Sequence, residues 1–341
     1  MNVLYMYPIY SQDLADLRRQ LHPDVALAVP PAFLDVPGSL VGETPTPDLC
    51  DVQDQVPLAD VFVADWAEPS ILAQAVRLHT FIIPYAGVSP RLQAVLQQFP
   101  ALTIYNNHFN AAPVAEHAWA LLLAVAKRIV ECDQKLRGGD WTPRYEGLRS
   151  MLLRGRTVGI VGYGAIGRAV AEMAQGFGMH VLAVRRQPKE DDPDFVGDVT
   201  RLDEMLAQSD AVFVCLPLTE ETRGLIGEEA FRQMKPSAIV VNVSRGPVVE
   251  EAAFYRALSE GRIRGAGIDA WYVYPRAPEE RSHTPPSRYP FAELPNVVLS
   301  PHRAPAVDEV ETLRVSGMAA ILNRLTRREP LTSKVDLARG Y

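Results

Sequence analysis

The chain has 341 residues, more than one hydrophobic core usually organises, so we expect two domains. Its 34 Lys and Arg residues against 41 Asp and Glu residues give a net charge of −7, and there is no long basic run. This charge argues against nucleic acid or an anionic membrane surface as the main partner. A small anionic substrate is compatible with it, because one local arginine outweighs a weak overall field.

The cysteines and apolar segments indicate an ordinary cytoplasmic protein. Cys50, Cys132 and Cys215 are far apart and show neither metal-ligand spacing nor a disulfide pattern, so we expect no metal site. Cys215 lies in an apolar run and is predicted to be a small buried hydrophobic residue. The first residues lack the pattern of a signal peptide. Charged residues interrupt the most apolar helix candidate, residues 115–130, too often for it to span a membrane.

In chain order, residues 1–105 are predicted to form a small α/β unit. Short apolar runs alternate there with helical stretches at residues 61–64, 69–76, 81–83, 89–98 and 102–104. Residues 30–57 are rich in proline and acidic residues and are predicted to be an exposed connection. A long amphipathic helix follows, with Pro113 in its first turn and apolar residues at helical spacing as far as Ile129.

From Arg156 onward, apolar strands and helices alternate strictly. Strands are predicted at residues 157–161, 181–184, 211–216, 238–243, 265–268 and 297–300, and helices at residues 166–177, 202–207, 228–234 and 250–260. Continuous apolar strands separated by helices indicate an α/β fold with a doubly wound parallel sheet covered on both faces. A last helix at about residues 307–327 would make the N-terminal domain discontinuous if it packs there.

A glycine-rich loop follows the first of these strands and begins a helix. It has the G-x-G-x-x-G spacing and consists of Gly162, Tyr163, Gly164, Ala165, Ile166 and Gly167. Gly162 permits a tight turn, Gly164 lets the backbone approach a pyrophosphate, and Gly167 lets the helix pack closely on the strand. The free N–H groups of the helix N-terminus then face the anion. The alternative is a turn without a ligand, but the strand–loop–helix context favours a nicotinamide dinucleotide.

The next predicted strand ends on Arg185 and Arg186. Dinucleotide-binding domains normally carry an acid there, which bonds both hydroxyls of the adenine ribose. An acid repels a 2′-phosphate, whereas guanidinium groups bind one, so we expect NADP as the cofactor and NAD as the second choice. The alternative is that the two arginines only cover the end of the strand at the surface.

Three polar residues, Arg245, Asp269 and His302, follow the carboxyl ends of three other predicted strands, where open parallel sheets bind ligands. Alone, each has an ordinary alternative, as a surface cation, a helix cap or a loop residue. Together, beside a nicotinamide site, they predict a reaction centre. Histidine can supply a proton near neutral pH, and arginine fits a planar carboxylate.

The chain resembles the D-isomer-specific 2-hydroxyacid dehydrogenase family over nearly all of its length. The resemblance rests on residues 114–117, 158–167, 216–219, 223–226, 242–246 and 300–302. It implies a Rossmann cofactor domain at residues 106–304, inserted into a smaller flavodoxin-like α/β substrate domain of residues 1–105 and 305–341, with the active site between them. It also implies a homodimer formed largely through the cofactor domains.

The same resemblance implies a role for each site residue. His302 would be the acid/base, Arg245 would bind the substrate carboxylate and carbonyl, and Asp269 would bond the nicotinamide amide. The backbone of the segment Ala86, Gly87 and Val88 would complete the carboxylate site. Further cofactor contacts are expected at the ends of the predicted strands 211–216 and 238–243, from Leu216, Pro217, Thr219, Val243 and Ser244.

One position departs from the family pattern. The family usually orients its histidine with a glutamate five residues after the aspartate that corresponds to Asp269, and this chain has Tyr274 there. Tyrosine carries no charge at neutral pH, so we expect a lower histidine pKa. Three explanations stay open. Glu279 or Glu280 in the long loop 276–290 replaces the carboxylate. Alternatively, Tyr274 orients a less basic histidine, or the protein binds cofactor without catalysis.

The leading hypothesis is an NADP-preferring reductase of small 2-oxo acids, of the glyoxylate or hydroxypyruvate kind and the D series. A formate-type dehydrogenase of the same superfamily is a second enzymatic interpretation, because it pairs its histidine with a polar amide rather than an acid. A cofactor-sensing binding protein, like the corepressors that share this fold, is the third. Arg245 and His302 argue against it, since a pure sensor has no need of both.

Overall fold

The computed structural model describes residues 1–36, 52–190, 192–193 and 195–339. The chain divides into two compact units, Met1–Asn110 with Ala306–Tyr341, and Ala111–Pro305. The first unit is therefore discontinuous in sequence. Cys50 and the middle of the connection predicted at residues 30–57 lie outside the described residues.

Strands and helices alternate along most of the described chain. The strands are β1 (Asn2–Met6), β2 (Ala26–Ala28), β3 (Val61–Ala64), β4 (Thr80–Ile83), β5 (Thr103–Asn106), β6 (Thr157–Val161), β7 (His180–Val184), β8 (Val196–Gly197), β9 (Ala211–Val214), β10 (Ile239–Asn242), β11 (Gly265–Ile268) and β12 (Val297–Leu299). The α-helices are α1 (Ser11–Gln20), α2 (Pro69–Gln74), α3 (Pro90–Leu96), α4 (Ala111–Ala126), α5 (Ile129–Arg137), α6 (Thr142–Tyr145), α7 (Ala165–Gly176), α8 (Leu202–Gln208), α9 (Glu228–Gln233), α10 (Glu251–Ser259) and α11 (Val310–Thr326). Short 3-10 helices lie at Pro31–Phe33, Val56–Leu58, Val199–Arg201, Gly246–Val248, Pro278–Ser282 and Phe291–Glu293.

The first unit is built on a five-stranded parallel sheet in the order β2-β1-β3-β4-β5, which is the flavodoxin-like order. β3 and β4 are buried along their whole length. Alternate residues of these strands belong to two hydrophobic clusters, one on each face of the sheet. Helix α11 packs beside α1 on one of these faces. Strand β1 and helix α1 lie within the predicted α/β unit, but they are not among the elements predicted from its apolar runs.

The second unit is built on a seven-stranded parallel sheet in the order β12-β11-β10-β9-β6-β7-β8. Counted from β6, this is the Rossmann order 3-2-1-4-5-6 with one strand added at the β12 edge. The order reverses between β6 and β9, so a crevice forms beyond the carboxyl ends of these two strands. The predicted doubly wound parallel sheet is confirmed. Strand β8 escapes prediction because it has only two residues.

The long helix predicted through residue 130 is interrupted. Helix α4 ends at Ala126, Arg128 adopts a left-handed φ of 56°, and α5 begins at Ile129. The predicted apolar stripe is therefore wrong at Ile129, whose side chain is 55% exposed. A left-handed residue ends a right-handed helix and redirects the chain. As a result α5 leaves the core, and none of its described residues is buried.

Two further expectations concern single features. Cys215 keeps part of its surface accessible to solvent, and it packs against the hydrophobic core of the second unit. Burial of the thiol raises its pKa to about 12. Within the described ranges, no helix combines the length and the apolar character that crossing a membrane requires.

Candidate functional site

The glycine loop joins β6 to α7. Gly162 has a φ of +104°, which favours glycine, and its N–H donates to the Val184 carbonyl at the end of β7 over 2.9 Å. A Cβ atom at Gly167 would collide with the carbonyl oxygen of Gly162. Both glycines are thus required by the packing of the protein itself.

Gly164 is different, because an added Cβ there would meet no protein atom within 4 Å. This residue is the N-cap of α7, and in the described structure no side chain caps the first N–H groups of this 12-residue helix. Free N–H groups and the positive end of the helix dipole fit a pyrophosphate, and the space beside Gly164 lets that group approach the backbone. The loop therefore fits a dinucleotide.

Arg185 and Arg186 follow β7, the strand beside the glycine loop. Nη1 of Arg185 donates to both carboxylate oxygens of Asp192, over 3.0 Å in each case. Nη1 of Arg186 lies 3.6 Å from Oε2 of Glu221. Each predicted phosphate-binding arginine therefore has a carboxylate beside it, which the sequence alone does not reveal.

Local hydrogen bonds order the loops that follow β9 and β10, the strands on the other side of β6. The Thr222 hydroxyl donates to the Pro217 carbonyl over 2.7 Å and accepts from the Thr219 N–H over 2.8 Å. Oδ1 of Asn242 accepts from the N–H and the hydroxyl of Ser244 over 3.1 and 2.8 Å. These two loops carry the predicted cofactor residues Leu216, Pro217, Thr219, Val243 and Ser244.

His302 contacts Tyr274 directly, since the tyrosine hydroxyl lies 2.8 Å from Nδ1 of the histidine. The N–H of Trp271 donates to the same hydroxyl over 3.0 Å. Burial and the positive charge of Arg245 lower the pKa of His302, whereas the charge of Asp269 acts in the opposite direction. The causes of this lowering are burial and Arg245, so the effect expected from the missing glutamate stays a prediction.

The predicted substitute carboxylates do not reach the histidine in the described contacts. Oε2 of Glu280 accepts from the N–H of Arg276 over 2.8 Å, within its own loop. Of the three explanations for Tyr274, the geometry agrees with the one in which this tyrosine orients His302. Arg245 is exposed, and its Nη1 donates to the Ser244 carbonyl over 2.7 Å, so other guanidinium donors remain for a ligand.

Asp269 is fully buried and holds the loop that carries His302. Its carboxylate accepts hydrogen bonds from the Ser300 hydroxyl over 2.5 Å, the Arg303 N–H over 3.0 Å and the Ala304 N–H over 3.1 Å. Nε2 of His117 lies 2.8 Å from the Ser300 hydroxyl and 3.5 Å from the carboxylate. Burial alone would raise the pKa of Asp269, but these groups together lower it to about 2. The nicotinamide contact expected for Asp269 stays a prediction.

The same loop has two more anchors. Nε1 of Trp271 donates to the Ser300 carbonyl over 2.7 Å, and the Ser300 N–H donates to the Ile268 carbonyl over 2.8 Å. Directly after these anchors, His302 adopts a left-handed φ of 53°, which non-glycine residues rarely do. The surrounding hydrogen bonds therefore hold a backbone conformation that histidine does not favour by itself.

The three residues predicted to bind the substrate carboxylate through their backbone belong to the first unit, whereas His302, Tyr274, Arg245 and Asp269 belong to the second. Ala86, Gly87 and Val88 follow β4 and are partly exposed. The Asn106 side chain donates to the Ala86 carbonyl over 2.7 Å and so fixes the start of this segment.

The sequence does not single out four residues that order the site, His117, Asn242, Trp271 and Ser300. His117, Asn242 and Ser300 lie in the stretches that carry the family resemblance, and this location is the sequence signal that could have identified them. Trp271 offers no such signal, because a tryptophan after a strand usually indicates packing rather than a hydrogen bond to a neighbouring loop.

Comparison with known proteins agrees with this geometry. Residues 119–304 match the family described as D-isomer specific 2-hydroxyacid dehydrogenase, NAD binding domain. The chain is 43% identical over 209 residues to a glyoxylate reductase of Korarchaeum cryptofilum, and the match covers 60% of this chain and 60% of that protein. The chain thus matches less than two thirds of the length of this relative.

Solved structures resemble the whole chain. The NAD-complexed D-isomer specific 2-hydroxyacid dehydrogenase of Lactobacillus delbrueckii ssp. bulgaricus has a TM-score of 0.73 and 21% identity, covering 98% of this chain and 100% of that chain. A probable 2-hydroxyacid dehydrogenase of Rhizobium etli in complex with NADP, HEPES and L(+)-tartaric acid has a TM-score of 0.73 and 22% identity, covering 100% and 99% of the two chains. At these identities the likeness supports the fold.

Proposed function

Because the chain belongs to the D-isomer-specific 2-hydroxyacid dehydrogenase family, we propose that it is a nicotinamide-dependent oxidoreductase that interconverts small 2-oxo acids and D-2-hydroxy acids. The observation that carries the proposal is the contact of His302 with Tyr274, on the same sheet as the glycine loop. A protein that only sensed its cofactor would have no need of a histidine held in this way.

The residues divide the chemistry between them. A nicotinamide cofactor held at the glycine loop would supply or accept the hydride. His302 holds the proton for the substrate oxygen at Nε2, because its Nδ1 faces the Tyr274 hydroxyl. That hydroxyl accepts from the Nδ1–H group when the imidazole is protonated, and it still accepts after Nε2 has given up its proton, because the remaining proton is then on Nδ1. Tyr274 therefore orients the ring in both states without contributing charge.

We propose glyoxylate-like or hydroxypyruvate-like 2-oxo acids as substrates. Arg245 would bind their carboxylate through two parallel hydrogen bonds and fix the face presented to the hydride. The proposal is supported by the similarity to a glyoxylate reductase over 60% of the chain. A formate-type dehydrogenase is the second candidate, favoured by one observation, the uncharged partner of His302.

We also propose that NADP is preferred over NAD. The support is the pair Arg185 and Arg186 at the end of β7, where an acid would select NAD. Comparing the rates with NADPH and NADH under identical conditions tests this preference, and faster turnover with NADH would contradict it.

A homodimer through the cofactor domain is the proposed assembly. The segment from α5 to residue 152 exposes large apolar side chains, with Ile129 at 55%, Trp141 at 60%, Tyr145 at 75% and Leu152 at 67% exposure. Large apolar side chains concentrated on a surface mark a contact with another chain. A second copy of the chain would cover them.

A panel of 2-oxo acids, followed by NADPH absorbance, tests the proposed activity. We expect turnover of small 2-oxo acids and a loss on the order of 100-fold or more in His302→Ala, since general acid catalysis contributes about that much. A His302→Ala variant with unchanged activity would refute the assigned chemistry. Turnover of formate with NADP and no reduction of 2-oxo acids would favour the second candidate.

A further inference from the structure

We propose that Asp192 sets the balance between NADP and NAD, by competing with the 2′-phosphate of the cofactor for Arg185. The inference rests on the proposed binding of the cofactor at the glycine loop. The residue that selects NAD or NADP normally stands at the end of the second strand, here β7. The inference assigns a part in this selection to Asp192, which lies outside that strand end.

The contact between the two side chains is close and partly shielded from water. Both oxygens of Asp192 accept from Nη1 of Arg185 over 3.0 Å, and Oδ2 also accepts from the Lys189 N–H over 2.8 Å. The Arg185 side chain is 20% exposed and the Asp192 side chain only 8%. Solvent therefore weakens this pair less than an ordinary surface ion pair.

The pair lies where a ribose phosphate would be recognised. Arg185 directly follows β7, whose last residue accepts a hydrogen bond from Gly162 of the glycine loop over 2.9 Å. The charges of Arg185 and Asp192 both act on the pKa of Tyr163, the second residue of that loop. A 2′-phosphate bound by Arg185 would therefore meet the carboxylate of Asp192.

The charge of Asp192 decides in which direction it changes the preference between NADP and NAD. A lone arginine at this position favours the phosphate of NADP, and a lone acid favours the ribose hydroxyls of NAD. The Arg185–Asp192 pair is close to neutral, so it weakens the preference that the arginine alone would give. A phosphate must displace the carboxylate or bind beside it, and either event lowers its affinity.

Titration calorimetry of the full chain with 2′,5′-ADP and 5′-ADP tests the inference without turnover. In Asp192→Asn we expect the affinity for 2′,5′-ADP to rise on the order of tenfold, while the affinity for 5′-ADP stays within about twofold. Asparagine keeps an oxygen for the Lys189 N–H, and thermal melting checks that the variant is folded. The matched control is Glu221→Gln, because this carboxylate lies 3.6 Å from Arg186 and is 71% exposed. It should leave both affinities unchanged.

A double-mutant cycle then identifies the group through which Asp192 acts. Arg185→Gln should weaken 2′,5′-ADP, and in that background Asp192→Asn should have no further effect. The inference is overturned if Asp192→Asn leaves 2′,5′-ADP unchanged, if its effect persists without Arg185, or if it weakens 5′-ADP, which would make Asp192 a ribose ligand. A wild-type protein that binds neither nucleotide would refute the proposed cofactor site as well. If the wild type binds 5′-ADP and the ratio of the affinities for 2′,5′-ADP and 5′-ADP is the same in Asp192→Asn, only the role of Asp192 is refuted.

Discussion

Replacing Tyr274 with glutamate would put a carboxylate on the side of His302 that the tyrosine hydroxyl now contacts, at 2.8 Å from Nδ1. The charge centres of such a pair are about 4 Å apart, which at an effective dielectric constant of about 20 corresponds to about 4 kcal/mol, or about three pH units. His302 is partly exposed, so solvent screens part of this interaction. We therefore expect the pKa of His302 to rise by about 1–2 units in Tyr274→Glu.

The pH dependence of the proposed 2-oxo acid reduction makes this shift measurable. Burial and Arg245 lower the pKa of His302 in the wild-type protein. Reduction uses the protonated imidazole, so kcat/KM is highest at low pH and falls as the pH rises through that pKa. In Tyr274→Glu the fall should move to higher pH. A carbon-13 NMR titration of labelled histidine, assigned with His302→Asn, measures the same pKa without turnover.

The control is Tyr274→Gln, which keeps a hydrogen-bonding group but adds no charge. Its pH profile should fall close to that of the wild type. Coincident profiles and titration curves for the wild type and Tyr274→Glu would refute the assignment of Tyr274 as the partner that determines the basicity of His302. An equal shift in Tyr274→Gln would show that charge is not the cause.

Three further predictions concern the loop, the glycines and the assembly. The pKa of Asp269 falls from 3.8 to about 2, which corresponds to about 2–3 kcal/mol of stability that is complete above about pH 4 and is lost as the pH falls towards 2. Urea titrations should show Asp269→Asn less stable by about that amount at pH 7, and equal stability would contradict its role. Gly167→Ala should lower the free energy of unfolding by about 1–3 kcal/mol, whereas Gly164→Ala should leave it unchanged and weaken 5′-ADP in calorimetry; the reverse pattern would disprove the loop assignment. Trp141→Ser combined with Tyr145→Ser should halve the mass measured by light scattering, and an unchanged dimer would place the interface elsewhere.

The regular part of the fold follows from the sequence because a buried parallel strand is a continuous apolar run. Strands β6 and β11 have the predicted bounds, Thr157–Val161 and Gly265–Ile268. The break at Arg128 does not follow, because apolar spacing continues through this residue and gives no sign of its left-handed conformation. Short elements such as β8 cannot be predicted either, because two residues are too few to show the periodicity of a strand.

The candidate site shows the same division. The rule that ligands bind at strand ends locates Arg245, Asp269 and His302 by position alone. It says nothing about which partner each side chain has. The contact of Arg185 with Asp192 joins residues seven positions apart in the sequence, and the bond from Trp271 to Ser300 joins two strand-end loops. Such contacts depend on the three-dimensional path of the backbone, which residue spacing in the sequence does not specify.

The hydrogen bonds around Asp269 have a consequence for substrates of very few atoms. A ligand gains at most about 1.5 kcal/mol per non-hydrogen atom, so a two- or three-carbon acid has little binding energy with which to organise a mobile segment. Here the folded protein already holds the His302 segment, through bonds to Ser300, Arg303 and Ala304. The small 2-oxo acids proposed as substrates would then use nearly all of their interactions for their own orientation, because the proposed acid, His302, is in place before they bind.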